Sequence, residues 1–102
     1  MDRLYNAIGL CKRAGRLVSG AFAVQNAIRA GKAKLVLLEE SASQATKETY
    51  ARMCAAHGVP LHLVETVGRA IGKDAHIVCA VTDAAFQTMI EGCMPNTDEK
   101  RG

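Results

Sequence analysis

Leu4, Ala7, Ile8 and Cys11 recur at the three-and-four spacing of a helix face, with Tyr5, Asn6, Lys12 and Arg13 off that face. The pattern predicts an amphipathic helix over residues 2–14. Gly15 ends it, and Lys12 and Arg13 lie in its last turn, where cations suit the helix dipole. Arg16 to Ser19 is a short strand candidate punctuated by Gly20. Phe22 or Ala23, then Val24, Ala27 and Ile28, draw a second helical stripe that stops near Gly31. Lys34 to Glu39 holds four consecutive apolar side chains, Leu35 to Leu38, the mark of a strand buried on both faces.

Ser41 and Ser43 are both suitable N-caps for a third helix, with Glu48 in its first turns. Ala45, Thr49, Met53, Cys54 and Ala56 are the expected buried face, and Gly58 with Pro60 stops the helix. Leu61 to Val64 reads as a third strand, and Thr66 as the cap of a short helix through Ile71. His76 to Val81 is a second continuous apolar strand, and Asp83 caps a last helix carrying Phe86, Met89 and Ile90. Strict alternation of helix and strand predicts an α/β fold, a three-layer α/β/α sandwich around a central four-stranded mixed sheet. The two continuous apolar strands belong in its middle. The expected organisation is one domain over residues 1–93 and a flexible C-terminal tail over 94–102.

Composition changes little in that picture. At 102 residues, 49% apolar and 23% charged, the chain suits one globular core. Aromatics are only 4%, which argues against a row of stacking rings along a single strand. The mixed sequence after Met1 is not a signal peptide, and no apolar run is long enough to span a membrane, so a cytoplasmic protein is expected. Cys11, Cys54, Cys79 and Cys93 are scattered among apolar or small residues and read as reduced core thiols.

Charge changes it more. Arg3, Lys12, Arg13, Arg16, Arg29, Lys32 and Lys34 crowd the first third of the chain, opposed there only by Asp2, while acids outnumber bases from Leu35 onward. Such asymmetry points to an anionic partner, RNA first. The sequence from Arg16 to Asn26 adds a strand end, a glycine and a helix start, where backbone N–H groups suit a phosphate. The expectation is a cationic rim, drawn from Arg13, Arg16, Arg29, Lys32 and Lys34, around the bend at Gly20.

Catalytic signatures are absent. Cys54 and His57 are three apart, but no second pair completes a zinc site. No glycine-rich elbow surrounds a cysteine, no phosphate-binding loop motif is present, and Glu39 and Glu40 point in different directions on a strand end. A non-enzymatic protein with no cofactor and no metal is expected.

The stretch from Leu10 to Gly20 resembles the opening of the small bacterial YlxQ-like proteins, a branch of the ribosomal protein L7Ae and L30e superfamily of kink-turn RNA binders. The resemblance continues through Ala27 to Leu38, Ser41 to Ser43, Val59-Pro60, Val67 to Lys73 and Val78 to Asp83. It implies an α/β/α sandwich and an RNA grip made by two regions, Gly20 to Asn26 and the loop from Val64 to Val67. On that basis Gly20, Ala21, Phe22 and Asn26 line the RNA, with Glu65 and Thr66 beside them, and Arg16, Arg29 and Lys32 neutralise phosphate. Departures from the family pattern fall in both regions. Phe22 and Ala23 replace polar base readers, Asn26 replaces a lysine, and the loop after Val64 is shorter than in close relatives. The leading expectation is therefore a ribosomal or kink-turn RNA-binding protein. The alternative is a protein-interaction module that keeps the fold without specific RNA binding, with Phe22 and Ala23 as an apolar patch. Whether it self-associates is left open.

Overall fold

The structure is a computed structural model that describes residues 3–65 and 78–94. In chain order the described elements are α1 (Arg3–Arg13), β1 (Leu17–Ser19), α2 (Ala21–Arg29), β2 (Leu35–Glu39), α3 (Gln44–His57), β3 (Leu61–Val64), β4 (Val78–Val81) and α4 (Ala84–Gly92). The expected helix from Thr66, the first two residues of the expected fourth strand and the tail beyond Met94 lie outside the described residues.

The four strands form one sheet in the order β1-β4-β2-β3. The two continuous apolar strands, β2 and β4, occupy its centre, and Leu35 to Leu38 and Val78 to Val81 are all buried. β4 is antiparallel to both neighbours, pairing Val18 with Ala80 and Val36 with Ala80, while β2 and β3 are parallel. The sheet is therefore mixed, and β1, β2 and β3 all point the same way.

Alternation along the strands separates two cores. Leu35, Leu37, Cys79 and Val81 face one side, where Leu4, Ala7, Ile8 and Cys11 of α1 and Ile90 of α4 cover them. Val36, Leu38, Val78 and Ala80 face the other, beneath Val24, Ala27 and Ile28 of α2 and Tyr50 and Cys54 of α3. The α1 and α2 faces are those the periodicity predicts, with Ala23 rather than Phe22 nearer the core.

The face of α3 is a correction. Ala45, Thr49 and Ala56 are not buried, and the helix buries Tyr50 and Cys54 with Met53 half-buried. Small alanines spread round this helix give it no marked stripe, so the one bulky ring sets which side packs. Of the two serines, Ser43 caps it, its hydroxyl accepting from the Thr46 N–H at 3.1 Å. Asp83 caps α4 as expected, accepting from Ala85 and Phe86 N–H groups at 2.8 and 3.2 Å.

Candidate nucleic-acid interface

Gly20 sits between β1 and α2 with φ 92° and ψ 151°. That backbone region is essentially closed to side-chain-bearing residues. The Gly20 N–H donates to the Val78 carbonyl at 3.0 Å, so the bend is tied to the first residue of β4. Its carbonyl accepts from Val24 N–H at 3.0 Å and starts α2. Unlike Ser43 and Asp83, the glycine offers no side-chain cap, so the amides of the first turn of α2, from Ala21 on, lack the partner that a capping oxygen supplies.

Phe22 stands off this turn 81% exposed. Phe22, Asn26 and Arg29 follow the i, i+4, i+7 spacing of one helix stripe, and all three are exposed. Arg29 is held from within: its Nη2 donates to Gln25 Oε1 at 3.3 Å, and Gln25 Nε2 donates to Tyr50 Oη at 3.3 Å. Three of the expected RNA-contacting residues thus share one solvent-facing strip about 10 Å long, given a rise of about 1.5 Å per residue.

Glu65, exposed, follows β3 and lies at the same end of the sheet as Gly20, because β1 and β3 run parallel. Thr66 lies outside the described residues. Glu39 and Glu40, at the end of β2, join Glu65 at this end.

The cationic rim expected around the bend does not form there. Arg16 precedes β1, and its carbonyl accepts from Thr82 N–H at 2.9 Å, from Thr82 Oγ1 at 3.1 Å and from the Cys11 thiol at 3.3 Å. Lys34 precedes β2, and its N–H donates to the Val81 carbonyl at 2.7 Å. Both therefore sit at the Val81 end of β4, whereas Gly20 sits at the Val78 end. Three strand residues, about 10 Å, separate the two ends. Lys12 and Arg13 close α1 and Arg29 closes α2, and both helices hand over to parallel strands, so these cations and Lys32 arrive at the Arg16 end too. Adjacency in sequence misled because a strand and a helix each carry the chain from one end of the sheet to the other. Of these cations only Arg29 belongs to the α2 stripe that leads back to the bend.

The cysteines are built for packing. Burial pushes the Cys79 thiol up to about 12, the neighbouring Cys11 adding to the effect. Cys11 is raised to about 11, by burial first and by the charge of Asp83 second, and burial also raises Cys54. A thiolate nucleophile needs the opposite shift. Among the described residues no group of three or more His, Cys, Asp or Glu is placed to hold a metal ion, and no helix is long and apolar enough to cross a membrane.

Layer order and the glycine-bent start of α2 define a three-layer sandwich with an open helix end beside its edge strand. The model of the ribosomal protein L7Ae/L30e/S12e/Gadd45 family matches residues 2–90, and the chain belongs to that family. It is 45% identical over 82 residues to the RNA-binding protein YlxQ of Bacillus subtilis (strain 168), covering 78% of this chain and 82% of that protein. A solved structure of a protein of unknown function from Bacillus halodurans C is similar with a TM-score of 0.85 at 30% identity, covering 91% of this chain and 97% of that one. The Giardia lamblia 15.5kD RNA binding protein shares the fold, with a TM-score of 0.72 at 21% identity, covering 89% of this chain and 81% of that one.

Proposed function

We propose that this chain is a non-enzymatic, cytoplasmic RNA-binding protein whose partner is a structured RNA of the kink-turn or ribosomal kind. The observation that carries the reading is its 45% identity, over most of both chains, to the RNA-binding protein YlxQ. The geometry supplies a fitting surface. The amides of the open first turn of α2, from Ala21 on, meet a phosphate beside the Gly20 bend, Phe22 stacks on a base, and Asn26 hydrogen-bonds one. Arg29 and Lys32 continue the strip with positive charge. Glu65 accepts from a base amino group, a contact that offsets the repulsion a carboxylate meets beside phosphate, and Thr66, next in sequence, is a further contact in this reading. Arg16 neutralises phosphate only for an RNA long enough to reach the other end of the sheet.

The test compares a kink-turn RNA with a straight duplex of equal length at two salt concentrations. Tighter binding of the kinked RNA that persists at the higher salt supports shape recognition. Equal, weak and steeply salt-dependent binding reduces the function to non-specific electrostatics.

A second reading rests on Phe22, whose 81% exposure is high for a phenylalanine. A protein-interaction module would use that ring to seat a partner or a second copy. Light scattering of the protein and of Phe22→Asp separates the readings: a monomer in both cases argues against self-association through this ring.

A further inference from the structure

Among the described residues the two ends of the sheet differ in charge balance: at the Gly20 end acids outnumber the cations Arg3 and Lys47, and at the other end cations predominate. Glu39 and Glu40 follow β2, Glu48 lies in the early turns of α3, Glu65 follows β3 and Glu91 closes α4, all toward the Gly20 end. Lys12, Arg13, Arg16, Arg29, Lys32 and Lys34 converge on the other. They come from all three layers: Lys12 and Arg13 from α1 on one face, Arg16 and Lys34 from the strand starts, Arg29 and Lys32 from the end of α2 on the opposite face. Their convergence is fixed by the backbone, since Arg16 and Lys34 are both hydrogen-bonded to the Val81–Thr82 segment. Among the described residues the acid at this end is Asp83. It is engaged with Arg16 at 3.8 Å and caps α4, while Arg13, Lys32 and Lys34 have no ion-pair partner among those residues.

We propose that this cationic end is a second RNA contact, separate from the bend, that holds the phosphate backbone of a duplex arm running along α2. The inference rests on the RNA-binding reading above and adds to it where the arm goes. The exposed α2 strip of Phe22, Asn26 and Arg29 joins the two contacts over about 10 Å. An RNA engaged at Gly20 therefore reaches Lys32 and Lys34 only if one arm leaves the bend in the direction of the helix axis. Phosphate contacts of this kind set position and orientation and carry no sequence information. The competing account is local: cations in the last turns of α1 and α2 offset helix dipoles and nothing more. Lys32 and Lys34 lie beyond those turns, which that account does not cover.

The experiment uses a kink-turn RNA with short arms and the same RNA with one arm extended by a helical turn. The proteins are the wild type, the edge variant Arg13→Gln/Lys32→Gln/Lys34→Gln, and a charge-matched control, Arg3→Gln/Lys47→Gln/Arg52→Gln. Thermal unfolding shows that each is folded. The wild type binds the extended RNA more tightly than the short one. The edge variant forfeits that gain, and its log–log salt dependence flattens by about 2–3, at about 0.9 for each phosphate no longer neutralised. The control keeps both properties. Three results overturn the proposal. Arm length has no effect on the wild type, or the edge variant behaves as the control does, and in both cases the RNA-binding reading stands. The third is that no RNA binds at all, in which case that reading falls as well.

Discussion

Tyr50 of α3 reaches Arg29 of α2 through a single intermediary. Gln25 donates to the Tyr50 hydroxyl at 3.3 Å and accepts from the Arg29 guanidinium at 3.3 Å. The tyrosine ring is buried against the sheet, so a core residue sets the direction of a cation on the exposed strip. Tyr50→Phe keeps the ring and removes the anchor. It is expected to lower unfolding free energy by about 0.5–1.5 kcal/mol, seen as a lower denaturant midpoint at unchanged slope. Gln25→Ala in the Tyr50→Phe background is expected to add little, because both changes remove the same link.

Gly20 makes a different demand. Its φ of 92° and ψ of 151° fall where a Cβ is strained. Gly20→Ala is expected to cost about 1–3 kcal/mol in chemical denaturation. It also shifts the start of α2, so the variant weakens RNA binding even under conditions where it is fully folded. A stability equal to wild type would show that the bend relaxes freely.

Asp83 joins two elements. One oxygen caps α4 and the other lies 3.8 Å from Arg16 Nε. Asp83→Ala is expected to cost about 1 kcal/mol, nearly all of it the cap. Arg16→Ala costs less than about 0.5 kcal/mol, because the pair is largely solvated. Asp83→Asn separates the two effects: the amide oxygen still caps, so a thermal midpoint near wild type identifies the cap as the main contribution.

The fold was legible because its signals were strong and local. Four successive apolar residues mark β2 and the run ending in Val81 marks β4, and a central strand between two helical layers is the place where both faces are buried. Leu4, Ala7, Ile8 and Cys11 left one choice for the face of α1. The face of α3 was not legible, because Ala45, Ala51, Ala55 and Ala56 are spread around the helix and only packing against the sheet selects Tyr50. The geometry of the candidate site was legible in part. Gly20 and the α2 start are read from local chemistry, and the family expected from the sequence is the one to which the chain belongs. The position of the cations was misread for a physical reason. Charge clustering along a chain says nothing about which end of a strand each charge occupies. The direction of β1 and β2 relative to β4 decides that, and single-residue patterns do not encode strand direction.

The buried thiols give a pH dependence with a definite sign. Cys11 and Cys79 are raised from the ordinary 9.0 to about 11 and about 12. A group whose folded value is raised stabilises the fold while protonated in both states. That contribution is complete below about 9 and is lost as pH rises through about 11–12, because the unfolded chain ionises first. Stability is therefore expected to fall above pH 9, and Cys11→Ala with Cys79→Ala, although less stable at neutral pH, shows a shallower alkaline decline. In the native protein at pH 8, a thiol reagent is expected to modify half-buried Cys93 well before either of these.

Phe22 offers the sharpest separation of stability from function. At 81% exposure its ring contributes little to the core, so Phe22→Ala changes stability by no more than about 0.5 kcal/mol. Phe22→Asp places a carboxylate in the first turn of α2, where the helix dipole favours it by about 0.3–1 kcal/mol, so the folded protein is no less stable and slightly more so. RNA binding moves the other way. One base stacked on an aromatic ring is worth about 1–3 kcal/mol, so Phe22→Ala is expected to weaken the kink-turn complex roughly ten- to a hundred-fold. Phe22→Asp weakens it further, because the new charge faces phosphate. Titration of a labelled kink-turn RNA against the three proteins, beside their thermal midpoints, checks both signs together. Unchanged affinity in Phe22→Ala would remove the ring from the interface. Weaker binding by Phe22→Asp alone would then reflect repulsion, and the open amides of α2 would be left to hold the RNA without it.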